Sequence, residues 1–182
     1  MMDKIISMMK KEYRMKSVDA GVFKKLKIEG MDFAVEAYDA VGLGRVSVMR
    51  ASGLLGLIKR DTLVISPLEK AIPLVTYERI QTFGKDTYIL GKYDCVNPME
   101  YTKEDGKKKQ SAEYDEKIEN FFQNYLKESL SAQKSEADRK SKIFEYVDDA
   151  IENAKLSTDI FMANYGEEIT VKLYHEVMFG TK

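Results

Sequence analysis

The sequence predicts an α+β fold: an antiparallel β-sheet sandwiched between N-terminal and C-terminal helices, an α/β/α sandwich. Three observations predict it. Between Gly30 and Val96 the apolar and β-branched residues come in short runs punctuated by glycine and proline, as strands do. From Ser111 onward they recur at spacings of three and four with no proline, as helices do. The links between the strand-like runs are too short for the crossovers that parallel neighbours need, so the sheet is antiparallel. At 182 residues the chain has the size of one domain, taken as 1–182.

Each element has its own signal. Met1–Ser17 carries Ile5, Ile6, Met9 and Tyr13 at helical spacing and reads as a short amphipathic helix. Met31–Val41 alternates Phe33, Val35 and Ala37 with Glu36 and Tyr38, then enters Gly42-Leu43-Gly44, and Arg45–Ala51 reads as its returning partner. Thr62–Ile65 is short, apolar and stopped by Pro67, which suits a central strand covered on both faces. Leu74–Phe83 and Thr87–Val96 flank Gly84-Lys85-Asp86 as a second hairpin. Thr102–Ser111 reads as a polar connector. Ile118, Phe121, Phe122, Tyr125, Leu126 and Leu130 then form one helical stripe. Ser135 with Asp138 reads as a capping box for a helix carrying Ile143, Val147, Ile151 and Ala154, broken near Ser157-Thr158. Gly166 is the expected stop, and Glu167–Met178 the closing helix.

Composition removes several function classes. Lys and Arg number 29 against 30 Asp and Glu, so no net basic field draws the chain to nucleic acid or an acidic membrane. One Cys and one His cannot furnish a closed zinc site, and a His-paired catalytic relay is excluded with them. Lys4, Lys10, Lys11 and Arg14 interrupt the N-terminal stripe, so it lacks the apolar core of a signal peptide. No run reaches the ~20 apolar residues of a membrane span. A cytoplasmic location follows as the expectation. Gly42-Leu43-Gly44 lacks the third glycine and the following helix of a dinucleotide fingerprint. Cys95 reads as a buried inert thiol and His175 as a surface or partly packed residue. The suggestive chemistry is polar and sits on the strands: Glu36, Asp39, Arg50, Asp61, Glu78, Arg79 and Asp94. Charges buried under helices need a partner or a ligand.

Two separated segments resemble a known family. Ile65-Ser66-Pro67, then Ile72-Pro73-Leu74, a strand, a turn at Gly84 and Tyr93-Asp94-Cys95-Val96-Asn97-Pro98 are similar to the stretch in ferredoxin-dependent bilin reductases where "FP" leads to "LPxxGxD", a glycine turn and "DxxP". Asn164-Tyr165-Gly166-Glu167-Glu168, Leu173-Tyr174 and Val177-Met178-Phe179 resemble that family's closing segment. The resemblance implies a linear tetrapyrrole bound between the sheet and the C-terminal helices. It also implies electrons from an external ferredoxin, no bound cofactor or metal, and protons from a carboxylate on a central strand.

The expected function is a small reductase of a bilin or related conjugated ligand, with a non-catalytic tetrapyrrole or haem carrier on the same fold as the alternative. A bland third reading is an interaction domain without a small ligand. Asp61 is the expected proton donor, and Asp94 matches the acid of "DxxP". Arg50 and Arg79 are expected to pair the ligand's carboxylates through their guanidinium forks. Tyr38 and Tyr88, with Phe33 and Phe83, are candidates to line the pocket. The neighbouring strand Arg45–Ala51 offers no histidine, which many relatives use.

Overall fold

The chain forms a single meander that pleats between two helical layers. The structure, a computed structural model, describes residues 1–107, 111–135 and 138–182. It opens with α1 (Met2–Glu12), followed by β1 (Met15–Val18) and β2 (Leu26–Ile28). The long strands are β3 (Met31–Ala40), β4 (Gly44–Gly53), β5 (Ile58–Ser66), β6 (Leu74–Thr82) and β7 (Lys85–Tyr93), with β8 (Glu100–Lys107) at the edge. The helices α2 (Ser111–Ser131), α3 (Arg139–Glu152) and α4 (Thr158–Val171) follow, and a π-helical segment, Lys172–Met178, closes the chain.

All neighbours pair antiparallel in the order β1-β3-β4-β5-β6-β7-β8, with β2 sharing the outer edge of β3 below β1. The expected sheet, with β5 at its centre and helices on either side, is therefore present. Two expectations are corrected. Residues 102–107, read as a connector, belong to β8. Its sequence is polar because it is an edge strand that α2 covers only in part, with Tyr114 over Gly106 and Lys117 reaching Glu104, and lysines there discourage pairing with other chains. The rest of that segment, Lys108–Gln110, lies outside the described residues. The cap of α3 is Asp138 rather than Ser135: its carboxylate accepts the Ser141 amide hydrogen at 3.1 Å.

The turn between β3 and β4 requires its second glycine. Gly44 has φ +139°, and a Cβ there would sit 2.2 Å from the carbonyl oxygen of Ser66. Gly166 (φ +77°) breaks α4 at the expected place, but helical geometry resumes at once, so the closing helix follows without a loop. The break expected near Ser157 is also present, at Ala154, Leu156 and Ser157, all left-handed.

Two cores result. On one face α1 and α2 bury Ile5, Met9, Phe122 and Tyr125 against Val46, Leu63, Val75 and Tyr77. On the other, α3, α4 and the closing segment bury Tyr146, Phe161, Tyr174 and Phe179 against Phe33, Met49 and Val64. Phe161 meets Phe33 edge to face at 5.2 Å. The closing segment is tied to β4 by polar clamps. Arg45 donates from Nη1 to the carbonyl oxygens of Glu176 and, at 2.7 Å, Val177, and Ser47 donates to that of Met178 at 2.8 Å.

His175 is fully buried, not at the surface, with Nδ1 2.8 Å from Thr181 Oγ1 and Nε2 3.0 Å from the Asp148 carboxylate. Burial pushes its pKa below the ordinary value. Its role is to hold the chain end. Cys95 is buried and its thiol is pushed up by burial, as an inert thiol is. Among the described residues no helix is long and apolar enough to cross a membrane.

The Arg45 clamp yields a prediction. Arg45→Met leaves two carbonyls without their charged donor and lowers stability by about 2–3 kcal/mol, measured by urea unfolding. A change within experimental error shows that the clamp is dispensable.

Candidate functional site

Strand pleating sorts the polar strand residues onto two faces. Arg50, Asp61, Arg79 and Tyr88 are cross-strand neighbours in register, a transverse row over β4, β5, β6 and β7. Tyr38 shares that face and donates its hydroxyl to Glu36 at 3.0 Å, and Glu36 in turn accepts from Arg50 at 2.6 Å. Five of the expected site residues thus come together. They do so on the face that carries α1 and α2, away from the C-terminal helices. Arg50 is ion-paired with Asp3 of α1. Arg79 lies 3.3 Å from Asp115 of α2, and Tyr88 stacks on Tyr114 at 5.1 Å. A ligand against the C-terminal helices and Asp61 as its proton donor are therefore incompatible expectations.

The two arginines are already engaged. Arg79 donates at 2.8 Å to Asp86, which also accepts from Gln81, Tyr88 and Ser111. Burial works to raise the Asp86 pKa, yet these hydrogen bonds outweigh it and hold the carboxyl below its usual range. The Tyr88 hydroxyl is pushed up to about 12, chiefly by burial. Asp61 differs. No hydrogen bond or ion pair among the described residues reaches its carboxylate, and burial raises its pKa despite the nearby charges of Arg50, the chain's amino terminus and Arg79. It borders an open groove of about 440 Å³ that Lys24, Lys25, Arg50 and Lys59 also line.

Asp94 belongs to neither face. Fully exposed after β7, it accepts the backbone amides of Val96 and Asn97 at 2.8 and 2.9 Å and the Asn97 side chain at 3.0 Å, which holds its pKa down to about 2. These bonds shape the turn Asp94-Cys95-Val96-Asn97-Pro98, where three residues separate the acid from the proline rather than the two of "DxxP". Phe83 sits exposed at a hairpin tip, whereas Phe33 is core.

The face under the C-terminal helices holds a different acid. Glu78, 6% exposed, accepts from Arg60 Nε at 2.8 Å and Nη2 at 2.5 Å, and its in-register neighbour Thr62 is 3.5 Å away. Arg60 is the more exposed partner, with its side chain at 27%. Tyr146 of α3, stacked on Tyr93 at 5.4 Å, presents a buried hydroxyl that faces the Tyr101 side chain without a well-formed hydrogen bond. Burial, with Tyr101 and Glu78 nearby, drives its pKa well above the usual tyrosine value. A weakly bonded polar atom near a buried acid is a place where a ligand group can bond. Beyond Arg60 the sheet floor opens: Ile80, Thr87 and Ile89 are half-buried, and Lys103 and Asp105 are exposed.

Sequence reasoning named Glu78 among the strand acids but gave it no role, and it passed over Arg60, Tyr146 and Tyr174. The signal for Glu78 was available. Counting the "LPxxGxD" spacing from Pro73 places the acid at residue 78, where this chain has Glu for Asp and Thr76 in place of the glycine.

No family model and no curated protein sequence matches the chain. Among solved structures it is similar to the crystal structure of selenomethionine phytochromobilin synthase from tomato in complex with biliverdin. The TM-score is 0.76 at 7% sequence identity, over 99% of this chain and 82% of that one. The likeness shows the fold alone: the sheet between helical layers is the architecture of that synthase.

Asp61 gives a prediction of its own. A carboxyl whose folded-state pKa is raised opposes folding whenever it is ionised. Asp61→Asn should therefore raise the melting temperature at neutral pH. The gain should shrink as pH falls through the elevated folded value and vanish below the ordinary 3.8. Thermal melts across that range check it, and a variant less stable at neutral pH contradicts the assignment.

Proposed function

We propose that the protein binds an open-chain tetrapyrrole, or a conjugated planar acid like it, on the sheet face beneath α3 and α4, and reduces it with electrons delivered by an external ferredoxin. The observation that carries this reading is Glu78, a buried strand acid ion-paired with Arg60, with the weakly bonded Tyr146 hydroxyl near enough to feel its charge. The fold it shares with a synthase crystallised with biliverdin supports it.

The chemistry asks little of the chain. Reducing one conjugated double bond consumes a pair of electrons and a pair of protons; the donor supplies the electrons singly, and the protein must present protons where charge builds up. Glu78 is the proton-delivering carboxyl in this scheme, recharged from solvent past Arg60. Arg60, reaching toward the open floor, can exchange its contact with Glu78 for a ligand carboxylate, whose planar geometry its fork matches. Tyr146 and Tyr174 wall the site from the helical side and keep bulk water off the ligand. Asp61, in the groove on the other face, is the second candidate donor, favoured by its raised pKa and lack of a partner.

A carrier without chemistry is the rival, and one observation favours it: the neighbour of Glu78 on β5 is Thr62, which has no proton to give near neutral pH.

The test is spectroscopic. Purified protein is mixed with biliverdin, then reduced anaerobically with ferredoxin and its reducing system. The expected result is a bound spectrum that shifts on reduction. Glu78→Gln should still bind yet stop at a partly reduced species, Arg60→Ala should weaken binding by roughly tenfold, and Asp61→Asn should turn over normally. Bound pigment that never changes indicates the carrier. Turnover lost with Asp61→Asn but kept with Glu78→Gln moves the site to the groove, and no spectral change with biliverdin or haem sinks both readings.

A further inference from the structure

Three hairpins, β2–β3, β4–β5 and β6–β7, turn at the same end of the sheet, as the pairings Asp32 with Ser52, Gly53 with Ile58 and Ile58 with Thr82 require. Two of these tips carry large apolar side chains into solvent. Leu55 is fully exposed, Phe83 is 75% exposed, and Leu54 and Leu57 are each 58% exposed. The tips are adjacent, since Gly56, Leu57 and Lys59 share a hollow of about 150 Å³ with Phe83, Gly84 and Lys85.

Tight turns ordinarily place glycine or small polar residues at such positions. Here Leu54, Leu55 and Phe83 themselves adopt the left-handed conformation, with φ of +45°, +56° and +40°. That conformation is unfavourable for residues with a Cβ. Neither burial nor local geometry rewards these choices, so their use lies outside the chain.

Basic side chains surround them. Lys59 and Lys85 flank the hollow, and Lys24 and Lys25 stand across the groove from Lys59. Acids stand among them: Lys24 pairs with Asp19 at 2.8 Å and Lys85 lies 3.6 Å from Asp105, Asp61 borders the groove, Asp86 lines the hollow but is held by Arg79, and Glu29 and Asp32 lie on the β2–β3 hairpin. Lys25 and Lys59 have no ion-pair partner among the described residues, in a chain whose net charge is −1.

We propose that this end of the sheet docks on an anionic lipid bilayer, with Leu54, Leu55, Leu57 and Phe83 entering the interface and the four lysines meeting lipid phosphates. A bilayer fits better than a protein partner. The apolar groups project singly from two convex tips, a shape that a fluid apolar phase accepts without complementarity, whereas a folded partner needs a matching recess. Lysine stems can lie along the apolar boundary while their charges stay at the headgroups.

Vesicle co-sedimentation tests the proposal. The protein should pellet with phosphatidylcholine vesicles containing roughly one-third phosphatidylserine, should pellet less with phosphatidylcholine alone, and should be released by salt. The double variant Leu55→Ser, Phe83→Ser, altered only at exposed positions, should bind these vesicles at least ~tenfold more weakly while its circular dichroism and melting temperature match the parent. Lys59→Gln with Lys85→Gln should remove most of the phosphatidylserine preference. Absence of pelleting overturns the proposal, as does binding that the Leu55/Phe83 variant leaves intact. Concentration-dependent self-association in sedimentation velocity, abolished by that variant in the absence of vesicle binding, would assign the tips to a second copy of the chain.

Discussion

The pleat of a sheet covered on both faces is the constraint on which the rest of this structure depends. Along β4, β5 and β6 each residue belongs to one helical layer, and its neighbour to the other. Asp61 and Thr62 are consecutive, yet the first looks toward α1 and α2 and the second toward α3 and α4. A slip of one residue in β5 would exchange the two polar groups and turn Leu63 and Val64 into the wrong cores. With apolar residues buried on both sides, that register is strongly fixed.

Given that alternation, each charge beneath a helix must find its answer within its own layer. Arg79 serves Asp86 and Asp115 on one face, and Arg60 serves Glu78 on the other. Further arginines are spent on backbone. Arg45 binds the carbonyls of the closing segment, while Arg139 donates to those of Pro67, at 2.9 Å, and Ile72, in the irregular link between β5 and β6. Leaving such carbonyls bare in the interior would be costly. The arginines therefore stabilise the non-repetitive segments that seat α3 and the chain end over the sheet. In this network Arg60 and Tyr146 stand apart, one partly exposed and the other only weakly bonded.

Much of the fold was legible because periodicity records burial. The five long strands and the helices that cover them follow from apolar spacing, and Gly166 and the Ser157 region from local breaks. The polar edge strand β8 was not legible, since a strand covered on one face only in part, by Tyr114 and Lys117 of α2, leaves little apolar alternation to read. The cap at Asp138 was missed in favour of Ser135 because both residues can cap and only the path of the chain decides between them. The site was half legible. Composition pointed to strand carboxylates, and the structure does gather Asp61, Arg50, Arg79, Tyr38 and Tyr88. It does so on the layer opposite the C-terminal helices, since a register uncertain by a residue or two cannot settle which way a strand side chain points. Asp94 looked chemical and is a turn former, a distinction carried by the amides of Val96 and Asn97.

The central proposal is that a ligand lies on the sheet face beneath α3 and α4, where Arg60 pairs with Glu78. Hydrogen exchange with and without biliverdin tests this most directly, because it reports where a ligand lies independently of any chemistry performed on it. The account predicts added protection in β6, β7 and α3, around residues 76–93 and 139–152, with α1 unchanged. Protection confined to α1 and the lower ends of β3 to β5, beside Asp61, would contradict it.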